Sequence, residues 1–246
     1  MRRYAQTNLE LYAQLRAEGY ADSAQERVVR AYTLATQLFA GLHRASGKVF
    51  VAHLVGTASV LAEARARIPV VLAGLLHAAY THAEFGDGWR GVTAVKRARL
   101  RTVVGEEAEG LVERYTRFRW PGEGLPRLRA ALAGLDEADR DVVLMRLANE
   151  LDDHLDLGIL YHEDAERRRD LLEPLAICVD LARDLEQDRL AEALSVTFAE
   201  CRSAEVPPAM RSPGARGSFL LAPSSHRPTL RIMLARWRAG KDVDLD

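Results

Sequence analysis

The sequence predicts an all-α fold, and three observations carry that expectation. Over the first 200 residues, apolar side chains recur at helical spacing. Leu, Ala, Glu and Arg, all good helix formers, dominate the same stretch. No run of alternating β-branched residues bounded by turns is present. With 246 residues, 48% of them apolar and 28% charged, the chain is long enough to bury a core without staples. Its composition is that of a soluble globular protein.

Taken in order, a first helix is expected over 8–18, stopped at Gly19. A second covers 23–43, with Val28, Val29, Tyr32, Ala35, Leu38 and Phe39 at inward spacing. The stretch 44–50, RASGKVF, is a polar loop with Gly47 at its bend. A helix follows over about 52–66. Pro69 opens the next, as proline does in a first helical turn, and that helix is expected to end near His82. The glycines of EFGDGWRG, 84–91, interrupt the pattern. Helix resumes over 95–103 and 106–117, until Trp120-Pro121-Gly122 breaks the chain. A strong helix is expected over 137–157 with Asp136 as its N-cap, then a pair over 164–173 and 175–200.

The composition shifts at about residue 203. Pro207, Pro208, Pro213, Pro223 and Pro228 are interleaved with Ser and Gly, which suits a linker or extended arm. The expected organisation is therefore a helical domain over 1–202 and a Pro/Ser-rich arm over 203–246. The arm is expected to end in a short helix at 229–239. Its Leu230, Met233, Leu234 and Trp237 form one stripe, suited to docking on the main body or on a partner.

The net charge of −1 supplies no global field toward nucleic acid or anionic lipid. No apolar run reaches the length of a membrane span, and the N-terminus lacks the apolar core of a secretory signal. Cys178 and Cys201 fall in helical sequence, so no disulfide framework is indicated. A cytoplasmic location is the resulting expectation, with neither nucleic acid nor membrane as partner. The absence of a Gly-rich strand-to-helix turn argues against a nicotinamide or flavin.

Three segments carry chemistry: RASGKVFVAH (44–53), AGLLH (73–77) and RLANE (146–150). Together they resemble the HD-domain superfamily, closest to its branch of RelA/SpoT-type guanosine tetraphosphate hydrolases, over about residues 25–160. The resemblance implies an HD-like helical bundle with His53 and His77 at the metal-binding histidine positions. It places Ala78 and Asn149 where the metal-binding aspartates stand, Thr81 and His82 at the catalytic Glu-Asp pair, and Val49 in place of a proline. Hard divalent cations prefer carboxylate oxygen beside imidazole, and two imidazoles alone give little activation of bound water. Standard HD phosphohydrolase activity is therefore not expected. The cofactor expectation is none, with one divalent transition metal as the alternative, held by His53, His77 and either His82 or Asp153.

If the packing implied by the resemblance holds, His53, His77, Tyr80, His82, Arg146, Asn149, Glu150 and Asp153 share a pocket. Histidine suits proton transfer near neutral pH, and burial tunes a glutamate toward it. His77, His53 and Glu150 are accordingly the catalytic candidates. Arg146, Asn149 and Asp153 fall on one helical face, and Glu150 stands where it could pair with Arg146. The resemblance gives the loop of Arg44, Ser46 and Lys48 an anionic, phosphorylated ligand, and an arginine fork and a lysine point charge suit such a ligand.

Each feature also has a structural reading. The histidines could be hydrogen-bonded core residues, His82 a helix C-terminal cap, Arg146–Glu150 an ion pair, and Arg44 and Lys48 solvated loop charges. Trp89 and Trp120 could be lids or plugs. The run 167–169 follows Glu163, Asp164 and Glu166, and reads as a salt-bridged surface rather than a nucleic-acid patch.

Three functions follow as expectations. The first is a repurposed HD-like pocket that binds, and as an enzyme would transform, a polar or anionic small metabolite without the usual metal centre, as a metal-free hydrolase, lyase or isomerase. The second is a metal-dependent phosphohydrolase with rearranged ligands. The third is a non-enzymatic subunit that binds a partner, or a second copy of itself, through the C-terminal arm.

Overall fold

Helix α1 (Asn8–Ala17) begins at a capping box, in which the Thr7 hydroxyl accepts from the Glu10 amide while the Glu10 carboxylate accepts from the Thr7 amide. Its buried Leu11 and Leu15 pack toward α3 (Phe50–Glu63), the central helix of the fold. The computed structural model describes residues 4–118, 120, 124–162, 164–170, 172–211 and 217–221, without the side chains of 167–169.

Nearly every residue of α3 from His53 to Ala62 is buried. A helix apolar on all sides belongs in the middle of a core, and α3 is covered by α1, α4 (Ile68–Gly74) and α9 (Glu137–His154). Helices α6 (Ala94–Val104) and α7 (Glu106–Arg117) form a second layer, with α7 packed on α4 and α9. Thr93 caps α6 and Asp136 caps α9, the latter as its sequence predicts. Helices α12 (Ile177–Asp184) and α13 (Asp188–Ser203) pack on each other, and α13 also lies on α9. The all-α expectation is met among the described residues.

Several expected boundaries move. Helix α2 (Asp22–Leu38) ends before residue 43, because Gly41 turns the chain at φ +73 into strand β1 (Leu42–His43). The strand pairs antiparallel with β2 (Phe219–Leu220), so the start of the arm returns to the body. A Cβ at position 41 would stand 2.6 Å from the Leu221 carbonyl oxygen. The helix expected from Pro69 to His82 is broken: after α4, tight bonds from Leu76 to Ala73 and from Ala79 to Leu76 intervene before α5 (Ala79–His82). Helix α8 (Leu125–Ala131) lies in a stretch given no helix by the sequence pattern. The pair expected over 164–200 is divided into α10 (Ala165–Asp170), α11 (Leu172–Leu175), α12 and α13. Glu186, at φ +61, separates the last two.

The expected α9 extension to residue 157 stops at His154. Residues Leu155–Tyr161 follow as a 3₁₀ segment broken by Asp156 and Leu157, both left-handed at φ +54 and +62. Two successive non-glycine residues in that region are uncommon and store strain. The terminal helix expected at 229–239 lies outside the described residues.

Candidate functional site

His53, on the second turn of α3, is wholly buried. Its Nδ1 donates to Asp152 Oδ2 at 2.8 Å, with Asp153 Oδ1 at 3.4 Å. The sequence expectation of imidazoles with no carboxylate beside them is thus corrected. Counting by motif places the aspartate position at Asn149, whereas α9 presents its carboxylates one helical turn later. Asn149 serves them instead, its Nδ2 donating to Asp153 Oδ2 at 3.2 Å.

Gly56 makes this approach possible. A Cβ there would collide with Asp152 Oδ1 and stand 2.6 Å from its Cγ. A glycine inside a helix costs about 1 kcal/mol relative to alanine, and here its bare backbone gives room to a buried carboxylate. Sequence reasoning overlooked Asp152, and the interior glycine of HLVGTAS was the available signal.

Both carboxylates already hold cations. Lys48 Nζ lies 2.8 Å from each oxygen of Asp152, and Gln6 Nε2 donates to Oδ1 at 3.3 Å. Arg44 Nη2 lies 2.7 Å from each oxygen of Asp153. Burial alone would raise Asp152, but the His53 hydrogen bond and the Lys48 charge outweigh it and hold its pKa below the ordinary value. Burial likewise opposes Asp153, and Arg44, then His53, hold it well down. The RASGKVF loop therefore folds its two cations back onto α9, and Gly47 at φ +87 makes the bend.

His77, only 3% exposed, faces His53 across 3.3 Å between their Nε2 atoms. Its Nδ1 stands 2.8 Å from the Gly74 carbonyl oxygen. A carbonyl only accepts, so Nδ1 carries the proton and Nε2 the lone pair. Burial first, then repulsion from His53, pushes the His77 pKa far down. With His53 Nδ1 donating to Asp152, a hydrogen bond between the two Nε2 atoms needs a second proton on His53. The edges of this pair are closed by aromatic rings, Phe50 on His53 at 5.6 Å and Tyr115 on His77 at 5.0 Å.

A cavity of about 900 Å³ opens on the far side of the aspartates. Arg44, Ser46, Lys48, Glu150, Asp152 and Asp153 form its polar wall. Leu155, Ile159, Tyr161 and Leu175 contribute an apolar wall, with Pro126 and Pro174 at its margin. The strained Asp156 belongs to the lining too, as do His154 and His162, which had no partner pattern in the sequence. His53 and His77 lie behind Asp152 and Asp153 and do not line the cavity.

The other expected site residues separate. Glu150 is at the cavity, but it accepts from Trp120 Nε1 at 2.8 Å rather than pairing with Arg146. Arg146 lies 3.7 Å over the Tyr115 ring and donates to the Tyr115 and Phe118 carbonyls. Trp120 is thus a support for Glu150, and Trp89 is largely exposed. Tyr80 belongs to a different buried cluster: its hydroxyl donates to Glu109, which also accepts from Arg97 and Arg101. His82 packs its ring on Phe50 at 5.2 Å, with Thr81 Oγ1 2.8 Å from its Nδ1. Cys178 and Cys201 are both buried, neither in a disulfide.

His53, Asp152 and Asp153 present ligand atoms within 4.8 Å of one another, close enough to meet on one metal ion. The charges do not fit such an ion. A divalent cation there would sit against the Lys48 ammonium and the Arg44 guanidinium, which already neutralise both carboxylates. On the other side of His53, the Nε2 pair is bordered by aromatic rings and lacks the oxygen ligands that a hard cation prefers.

A family model described as a domain of unknown function, DUF6817, matches residues 34–119. That span holds the 44–48 loop, His53, His77 and His82, and ends before α9 supplies the carboxylates. No curated protein matches the chain.

Proposed function

We propose that this chain is a small-molecule protein whose HD-like pocket works without the metal pair of the hydrolases it resembles. The cavity beside α9 is the binding site for a small polar metabolite. The observation that carries this reading is the pairing of Lys48 with Asp152 and Arg44 with Asp153 at the cavity wall. Side-chain cations occupy the positions at which a metal would neutralise the carboxylates. The cavity volume falls in the range of small-molecule sites, and its mixture of apolar wall and a few convergent polar groups is typical of them.

In this reading His53 and His77 are positioning residues: they hold Asp152 in place from behind, and Asp152 and Glu150 meet the ligand. The chemistry available to a bound substrate is proton transfer at those carboxylates. Ligand-observed NMR with a set of small amines, alcohols, carboxylates and sugar phosphates tests the site, on the wild type and on the cavity-filling variant Ile159→Trp. At least one compound is expected to bind the wild type and not the variant. The reading fails if no compound distinguishes the two proteins.

A further inference from the structure

Within the cavity, the cations are matched and one carboxylate is not. Lys48 faces both oxygens of Asp152, and Arg44 both oxygens of Asp153. Glu150 is a largely buried carboxylate that also lines the cavity, yet its close hydrogen bond comes from a neutral indole, Trp120 Nε1. The nearest cationic candidate among the described residues is His154 Nδ1 at 3.8 Å from Oε2. That nitrogen already donates to the Glu150 backbone carbonyl at 2.7 Å, so it supplies no further proton to the side chain. Burial pushes the Glu150 pKa up, against the opposing effects of His154 and the Trp120 hydrogen bond. Asp156 adds a second carboxylate at the rim, exposed and held left-handed.

A largely buried carboxylate without a close lysine or arginine gains when a cation is brought to it. Elsewhere in the lining, Leu155, Ile159, Tyr161 and Leu175 offer apolar surface and one aromatic ring. From these features we infer that the cavity selects an amphipathic amine, its ammonium group paired with Glu150 and its hydrocarbon portion against Ile159 and Leu175. This inference rests on the cavity being a binding site, and it revises the expectation of an anionic ligand: Arg44 and Lys48 are committed to α9.

Three probes of one shape separate the possibilities: n-pentylammonium, n-pentanol and n-pentanoate. Their affinities would be measured by calorimetry on the full chain, on Glu150→Gln and on Ile159→Trp. The wild type is expected to favour the ammonium over the other two by roughly tenfold or more, the effect of one charge-assisted hydrogen bond. Glu150→Gln should erase that preference while leaving pentanol binding in place, and Ile159→Trp should abolish all three. Equal or tighter binding of pentanol or pentanoate by the wild type overturns the amine assignment; if that binding is lost in Ile159→Trp, the cavity reading survives. An ammonium preference that persists in Glu150→Gln overturns the role of Glu150. Failure of all three probes to bind overturns the inference, and the cavity reading falls with it only if the wider compound set also fails to distinguish the wild type from Ile159→Trp. The wild-type comparison needs no variant to fold.

Discussion

Asp152 is the side chain on which the centre of the molecule depends, because three separate segments converge on it. Replacing it with Asn leaves Lys48 without its counter-charge and disturbs the hydrogen bond to His53 at a wholly buried position. Breaking one partner of a buried pair costs about 3–5 kcal/mol. Asp152→Asn should therefore lose stability on that order in urea unfolding, and more than Asp153→Asn, whose carboxylate is partly exposed. Equal, small losses would contradict the assignment.

Between pH 4.5 and 6.5 the pH dependence belongs to His77 and His82, which burial pushes below the ordinary histidine value, His82 to about 3, and to Glu150, which has the opposite sign. His77 has a folded pKa below its unfolded value near 6.5, so the unfolded chain alone takes up a proton as pH falls below 6.5. Its contribution to stability then declines on acidification, by up to about 1.4 kcal/mol per pH unit. Glu150 has a folded pKa above its unfolded value near 4.5, so its contribution declines as pH rises through that window. Unfolding measured between pH 4.5 and 6.5 should show stability rising with pH in Glu150→Gln. In His77→Gln that rise should be smaller, the part that remains coming from His82. Parallel profiles in the two variants would rule out this division. Asp152 and Asp153, with lowered pKa values, lose their contribution only as pH falls further, below the unfolded value near 3.8 and through their folded ones.

At the scale of elements, α3 and α9 form the site, and their contact is set by a glycine. Gly56→Ala raises helix propensity yet forces Asp152 off α3, so a net loss of about 2 kcal/mol or more is expected in thermal unfolding, with the His53–Asp152 bond disrupted. A gain in stability would show that the close approach is not required. The α9 N-terminus, α1, α6 and α7 were legible because caps and glycines mark them locally. The break after α4 was not legible. Its i→i+3 bonds arise in Val70–Ala79, a stretch that reads as continuous helix, and they orient His77 toward His53. His53 and His77 could be paired from the sequence, whereas Asp152 could not, since a tertiary contact and not a motif selects which turn of α9 faces α3. Tyr80 shows the reverse: the packing implied by the resemblance put it in a pocket with His77, and a three-residue step on a broken helix carries it to Glu109 instead.

For the whole molecule, composition and periodicity sufficed for the helical class, because a strongly periodic chain of this size leaves few other ways to bury its apolar face. No helix among the described residues is long and apolar enough to cross a membrane. The arm was legible as a break in composition, but its pairing with β1 was not, since a two-residue strand leaves no alternation to read. Charge distribution supports the functional reading: both cations of the 44–48 loop point inward to α9, and Glu150 is left in the cavity lining without a lysine or arginine partner among the described residues. Elemental analysis of the purified full chain after incubation with Mn²⁺, Fe²⁺ and Zn²⁺ tests this most directly. Only substoichiometric metal, unchanged in Asp152→Asn and in His53→Ala/His77→Ala, is the predicted result. A stoichiometric metal lost in those variants would contradict the metal-free pocket and make Lys48 and Arg44 displaceable occupants of a metal site.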